Sequence, residues 1–271
     1  MSKFRTFILD WILQMIQGFD GNVNKAVQVL TTDIFGNSMY TMAQGIAHII
    51  TPFALTIITI IFLIEFIKIT VKMDILKYEY LVRIFFKLVL AKVSIDMSFM
   101  LLSAIYATGA EWINRAGATN STLGNATGTA LATIIQNMTW YEALGLVSTM
   151  GISFLAIWIS GMVVIVIAYA RMFELYVYMS ASPLPCAFLP MEESRIPKRF
   201  FLSFAGVCLQ GLFIIIAIKL YQAVCVDTII PAVQSSSALS DIAFNMLLGA
   251  LVLVMAVVKS GQWAKAILDA V

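Results

Sequence analysis

Apolar residues run through the chain in long stretches, and polar residues collect between them. A helix that crosses bilayer hydrocarbon needs about 20 mostly apolar residues. Five stretches have that length: 43–66, 85–107, 143–170, 200–224 and 242–258. Ahead of them, Phe4, Phe7, Ile8, Trp11, Ile12, Met15 and Ile16 recur at helical spacing, with Lys3, Asp10, Gln14 and Gln17 at the other positions. That pattern predicts an amphipathic helix. Two placements fit it, flat on a membrane surface or packed on the bundle. Asp10 and Gln14 interrupt what would be the apolar heart of a signal peptide, so the helix is expected to be retained. The predicted fold class is all-α, a polytopic transmembrane helical bundle of about five spans with an N-terminal amphipathic helix.

Composition strengthens this reading. Of 271 residues, 61% are apolar and 12% charged, and the mean hydropathy is +0.93. A water-soluble core of this size needs no such excess. The net charge of +2 makes no electrostatic case for nucleic acid as a direct partner, which calls for a concentrated basic face. Cys186, Cys208 and Cys225 are widely spaced, in or beside apolar segments, and read as packing residues. His48 stands near the outer end of the first span with no second His or thiol cluster to make a metal site. Nothing resembles a nucleophile with its base, a phosphate-cradling glycine loop or a metal-ligand set. The expectation is no enzyme, with no catalytic residue, cofactor or metal.

The positions of the cations set an orientation. Lys68, Lys72, Lys77 and Arg83 crowd the connection between the first two spans, and Arg171, Arg195, Lys198 and Arg199 the one between the third and fourth. Residues 226–241 carry no Lys or Arg, and residues 109–142 only Arg115. Both basic connections belong in the cytoplasm and both cation-poor ones outside. Residues 1–41 are then an extracytoplasmic amphipathic segment, 42–258 the transmembrane bundle and 259–271 a cytoplasmic tail, in a multi-pass protein of the cell membrane.

Three constellations stand out. The first lies in an inner-side break, 171–199, where the third helix is expected to pass the boundary near Arg171 and stop at Pro183 and Pro185. Tyr169, Phe173, Tyr176 and Tyr178 are expected at the interface, where aromatic rings favour residence. Arg171 and Glu174 are one turn apart, with Tyr178 one turn on. They read either as a snorkelling Arg with a local partner or, with Tyr176, Pro183 and Pro185, as a docking or subunit-contact surface. The second is an intramembrane polar face. Lys92 and Asp96 share a stripe at i,i+4 inside the second span, and Ser103 continues it. Such residues rarely face lipid, so a neutralised structural pair, a subunit interface and an ion or proton path all stand open. The third is a stripe of small residues in the third span, Thr149, Ser153, Ala156 and Ser160, which would let helices approach closely.

The runs "IAYARMFELYVYMSASPLPCAFLP", "RIPKRFFLSFAGVCLQGLFIIIAIKLYQAV" and "VVKSGQWAKAIL" resemble the TrbL-like conjugal transfer membrane proteins of mobile elements in Gram-positive bacteria. The similarity begins near "ITPFALTIITIIFLIEFIKITVK" and includes "LVRIFFKLVLAK"; its most specific part is Arg171–Tyr178 with the Pro-x-Pro that follows. The resemblance implies a structural or channel-forming inner-membrane subunit of a type IV secretion machine. It further implies self-association into a homo-oligomeric platform, contact with the machine's other subunits including its cytoplasmic ATPases, and a part in passing single-stranded DNA with its bound protein. The residues leave an alternative from another class, a secondary transporter or ion channel using Lys92 and Asp96, with Glu65.

Overall fold

A computed structural model describes residues 2–71, 78–117, 140–191, 194–234 and 239–269. Among them the fold is all-helical: α1 (Ser2–Thr31), α2 (Ser38–Val71), α3 (Tyr78–Gly117), α4 (Trp140–Ala181), the short α5 (Pro183–Cys186), α6 (Ile196–Gln234) and α7 (Leu239–Asp269). Five segments are long and apolar enough to cross a membrane: Ser38–Lys68, Phe85–Gly117, Leu155–Ala181, Ile196–Val224 and Leu247–Leu268. The helices form two compact units.

The first unit holds residues 1–32, 112–171 and 210–266. Phe19, Val23, Ala26 and Leu30 of α1, spaced three and four apart, form one buried face. They share a core with Ile157, Val164 and Ala168 of α4, Ile214, Ile215 and Ile218 of α6, and Ala250, Leu253 and Val257 of α7. Trp11 lies by Gly151, Gly18 by Trp158 and Phe19 by Gly161, so α1 and α4 run in the same direction. Phe19 also meets Tyr221 edge-on at 5.8 Å, while Arg171 lies on Gly211. Ten residues forward in α4 thus match ten back in α6, an antiparallel pair. Tyr221 by Gly249 and Gln210 by Gly261 make α6 and α7 antiparallel too. Trp11 and the second half of α1 are packed, Phe7 is 67% exposed, and the side chains of Phe4, Ile8, Ile12, Met15 and Ile16 from the predicted apolar face lie outside the described residues.

The second unit holds residues 33–111, 172–209 and 267–271. Here α2 and α3 are antiparallel, with Tyr40 edge-on to Phe99 at 5.2 Å near one end and Phe62 by Phe85 at 5.7 Å near the other. Ala43, Ala47 and Ala54 of α2 are buried, whereas Met42, Ile49 and Phe53 are 70%, 78% and 62% exposed. This inversion follows from the solvent. Lipid is as apolar as Ile, so hydrophobicity does not drive helices together there, and the inward face is the one that lets backbones approach.

Helix α4 ends where Pro183 lacks the N–H a continuing helix needs. The chain then descends in tight turns, with Ala187 N donating to Leu184 O (3.1 Å), Phe188 N to Pro185 O (3.2 Å) and Leu189 N to Cys186 O (3.2 Å). Pro183, Pro185, Cys186 and Ala187 are buried, the last two in a cluster with Ala54 and Ile58 of α2 and Ala91 and Ile95 of α3. Non-helical backbone near membrane depth survives when its own bonds and protein cover satisfy it. Beyond the fifth predicted span, 259–269 continues α7, with Ser260 and Ala264 buried.

Candidate functional site

The stretch singled out around Arg171 is sorted by helix register. Val164, Ala168, Arg171, Leu175 and Met179 follow one another at three and four residues, and all are buried. Arg171 is 3% exposed, and its guanidinium lies so close to Gly211 that a Cβ there would overlap it. Among the described residues every buried side-chain nitrogen and oxygen has a hydrogen-bond partner. Glu174, off this stripe, is exposed, and no ion pair joins it to Arg171. The local pairing suggested by spacing gives way because packing turns the cation inward and leaves the anion out.

The aromatic residues divide likewise. Tyr169 and Phe173 are 44% and 54% exposed, as expected at an interface. Tyr176 is not exposed as expected: it sits beside Leu175 and Met179 in the core of the second unit, with its hydroxyl 3.5 Å from Ile34 O. Tyr178 is half-buried against Phe200 (5.4 Å) and Phe204 (6.2 Å). Pro183 and Pro185 are buried. Of the six residues read as a docking surface, Glu174 alone is fully on the outside of the chain. The exposed charges nearby in sequence are Arg195, Lys198 and Arg199, at the start of α6. Cys186 and Cys208 are buried thiols. Burial pushes the Cys186 thiol up from its ordinary 9.0 to about 11, so it is held as an inert thiol. The Cys225 side chain lies outside the described residues.

The polar face of α3 also splits. Ser103 is buried, donating to Phe99 O at 2.8 Å and lying 3.4 Å from the Tyr40 hydroxyl. Lys92 and Asp96, on the same stripe, are exposed and form no ion pair with each other. Helix α2 covers the stripe at Ser103 but not at the two charges. On insertion scales a charged residue at the centre of a span costs about 2.5–3.5 kcal/mol. Glu65 instead pairs with Lys68 at 3.2 Å on the surface of α2, and His48 is exposed.

Along the small-residue stripe of α4, Ser160 is buried, donating to Ala156 O at 2.8 Å, while Ser153 and Ala156 are half-buried. The Thr149 side chain lies outside the described residues. A close approach to backbone falls one residue beyond the stripe. A Cβ at Gly161 would lie 3.0 Å from the Phe19 ring and 3.1 Å from its Cα. Sequence reading missed Gly161 and Gly211. Their signal was a glycine among several in each apolar helix, and neither partner, Phe19 or Arg171, is near in sequence. A groove of about 550 Å³ between α6 and α7 is lined by Phe213, Ile216, Leu220, Asn245, Val252 and Trp263 among others, with no acidic or basic side chain. Among the described residues no cluster of three or more His, Cys, Asp or Glu has metal-binding geometry.

The family model for TrbL/VirB6 plasmid conjugal transfer like protein matches residues 21–183, more than half of the chain. The chain belongs to the TrbL/VirB6 family. The match runs from α1 to the first proline of the break. No curated protein matches the chain, and no solved structure does. Family membership with five apolar helices makes it a multi-pass membrane protein.

Proposed function

We propose that this TrbL/VirB6 chain is a membrane-embedded structural or channel component of a conjugative type IV secretion machine. The observation that carries this reading is the family match across residues 21–183. In it the chain assembles into a homo-oligomeric platform beside the machine's other subunits, in the cell membrane of a Gram-positive host. Lys68, Arg195, Lys198 and Arg199 face the cytoplasm, putting residues 1–41 outside and 259–271 inside. The exposed cations at the start of α6, with exposed Glu174, then form a polar inner-side surface on which the cytoplasmic ATPases dock. Arg171, Tyr176, Pro183 and Pro185 hold that surface in shape from beneath, Tyr178 supports it from its edge, and single-stranded DNA with its bound protein passes the membrane at the assembled complex.

A clean deletion tests the reading. Transfer of DNA to recipients should vanish, growth should be unchanged, and the intact gene supplied elsewhere should restore transfer. Undiminished transfer from the deletion strain rejects it. The transporter reading gains no support from the groove between α6 and α7, which carries none of Lys92, Asp96 or Glu65.

A further inference from the structure

Lys92 and Asp96 stand on the outside of a helix apolar enough to span a membrane. Around them on one strip lie Phe85, Val89, Val93 and Met100, each 48% to 70% exposed. The opposite side of α3 is occupied, with Ala91, Ile95, Ser98 and Leu102 buried. Among the described residues no ion pair reaches either charge. Lipid serves them badly. A lysine near a boundary snorkels to headgroup phosphate on its long stem, but the short aspartate side chain has no such reach from within the span. What covers this strip must carry an anion and a cation one helical turn apart.

We propose that the partner is a second copy of this chain, whose α3 lies beside the first so that Lys92 of each pairs with Asp96 of the other. Two copies inserted the same way place Lys92 level with Lys92 and Asp96 level with Asp96, one turn apart. A lysine side chain is long enough to cover one turn, about 6 Å. The strip is therefore self-complementary. Val89 and Val93 give it a firm edge, and Met100 fills irregular gaps between helices. The inference rests on the homo-oligomeric part of the proposed function and names a surface that joins copies in pairs within it.

Two differently tagged copies, co-expressed and solubilised in mild detergent, test it. Wild-type copies co-purify. Lys92→Asp makes an all-anionic strip and Asp96→Lys an all-cationic one, so copies bearing either change alone should lose most of their co-purification, about tenfold. Mixing one with the other should restore it. A pair that neutralises itself within one chain gains nothing from mixing, so mixed copies that co-purify no better than single variants overturn the proposal while leaving oligomerisation intact. Wild-type copies that never co-purify overturn the platform reading as well. If the charge variants do not accumulate, Asp96→Cys in both copies, level with each other in this pairing, should join through a disulfide on oxidation in a Cys225→Ser background. Copies with Cys225→Ser alone should not, since Cys186 and Cys208 are buried. No such dimer, among wild-type copies that do co-purify, overturns the proposal equally.

Discussion

The guanidinium of Arg171 rests on the bare backbone of Gly211, a position on α6 where any side chain would occupy the space of the cation. Gly211→Ala should therefore displace a buried charge and lower stability in detergent by about 2–4 kcal/mol. Combining it with Arg171→Ala should cost less than the sum of the two, with coupling of about 1–3 kcal/mol in a double-mutant cycle followed by thermal unfolding. Additive losses would mean that the two residues do not depend on each other.

Helix α1 should behave as part of the bundle. Phe19→Ala removes a ring buried against Gly161 and Tyr221, and should cost about 3–5 kcal/mol. Gly161→Leu should push α1 away and raise its susceptibility to protease in the first unit. A helix lying on the membrane surface would leave both variants near wild type.

Cys186 should stay unmodified by thiol reagents at pH 8 in the folded protein and react once it is denatured. Its folded pKa, about 11, lies above the ordinary 9.0. Between those values the unfolded chain has lost the proton that the folded chain keeps, so stability falls as pH rises through this window and the thiol contributes none of that loss below pH 9. Cys186→Ala should flatten the decline measured by thermal unfolding across that range. An unchanged slope would remove burial of the thiol as its cause.

Orientation has a direct readout. Ser194→Cys, placed beside the exposed cations of α6, should be labelled by an impermeant maleimide in inside-out vesicles and spared in intact cells. The reverse pattern would move the basic segment to the outer face and remove the inner-side docking surface.

How much of this was legible follows from what hydropathy encodes. The five spans were visible because a long apolar run is a property of the segment alone. Which side of each helix faces inward was not, because Ile49 is 78% exposed while Ala47, two residues earlier and on the opposite side of α2, is buried, a choice made by backbone approach and not by polarity. The same blindness made Arg171 and Glu174 look like a local pair, when the register shared with Ala168 and Leu175 buries one and exposes the other. The proline break was readable, since missing N–H groups act locally. Its burial against Ala54 and Ala91 depends on helices more than 90 residues earlier.

The helical hydroxyls have one more consequence. Thr51, Thr56, Thr59 and Ser160 each give their proton to a carbonyl four residues back, at 2.8–3.0 Å. With its donor spent, such a group presents only lone pairs, and a phosphodiester, itself all acceptor, meets no welcome from it. Any lumen that conducts a nucleic-acid cargo past these hydroxyls has to draw its donors from other side chains.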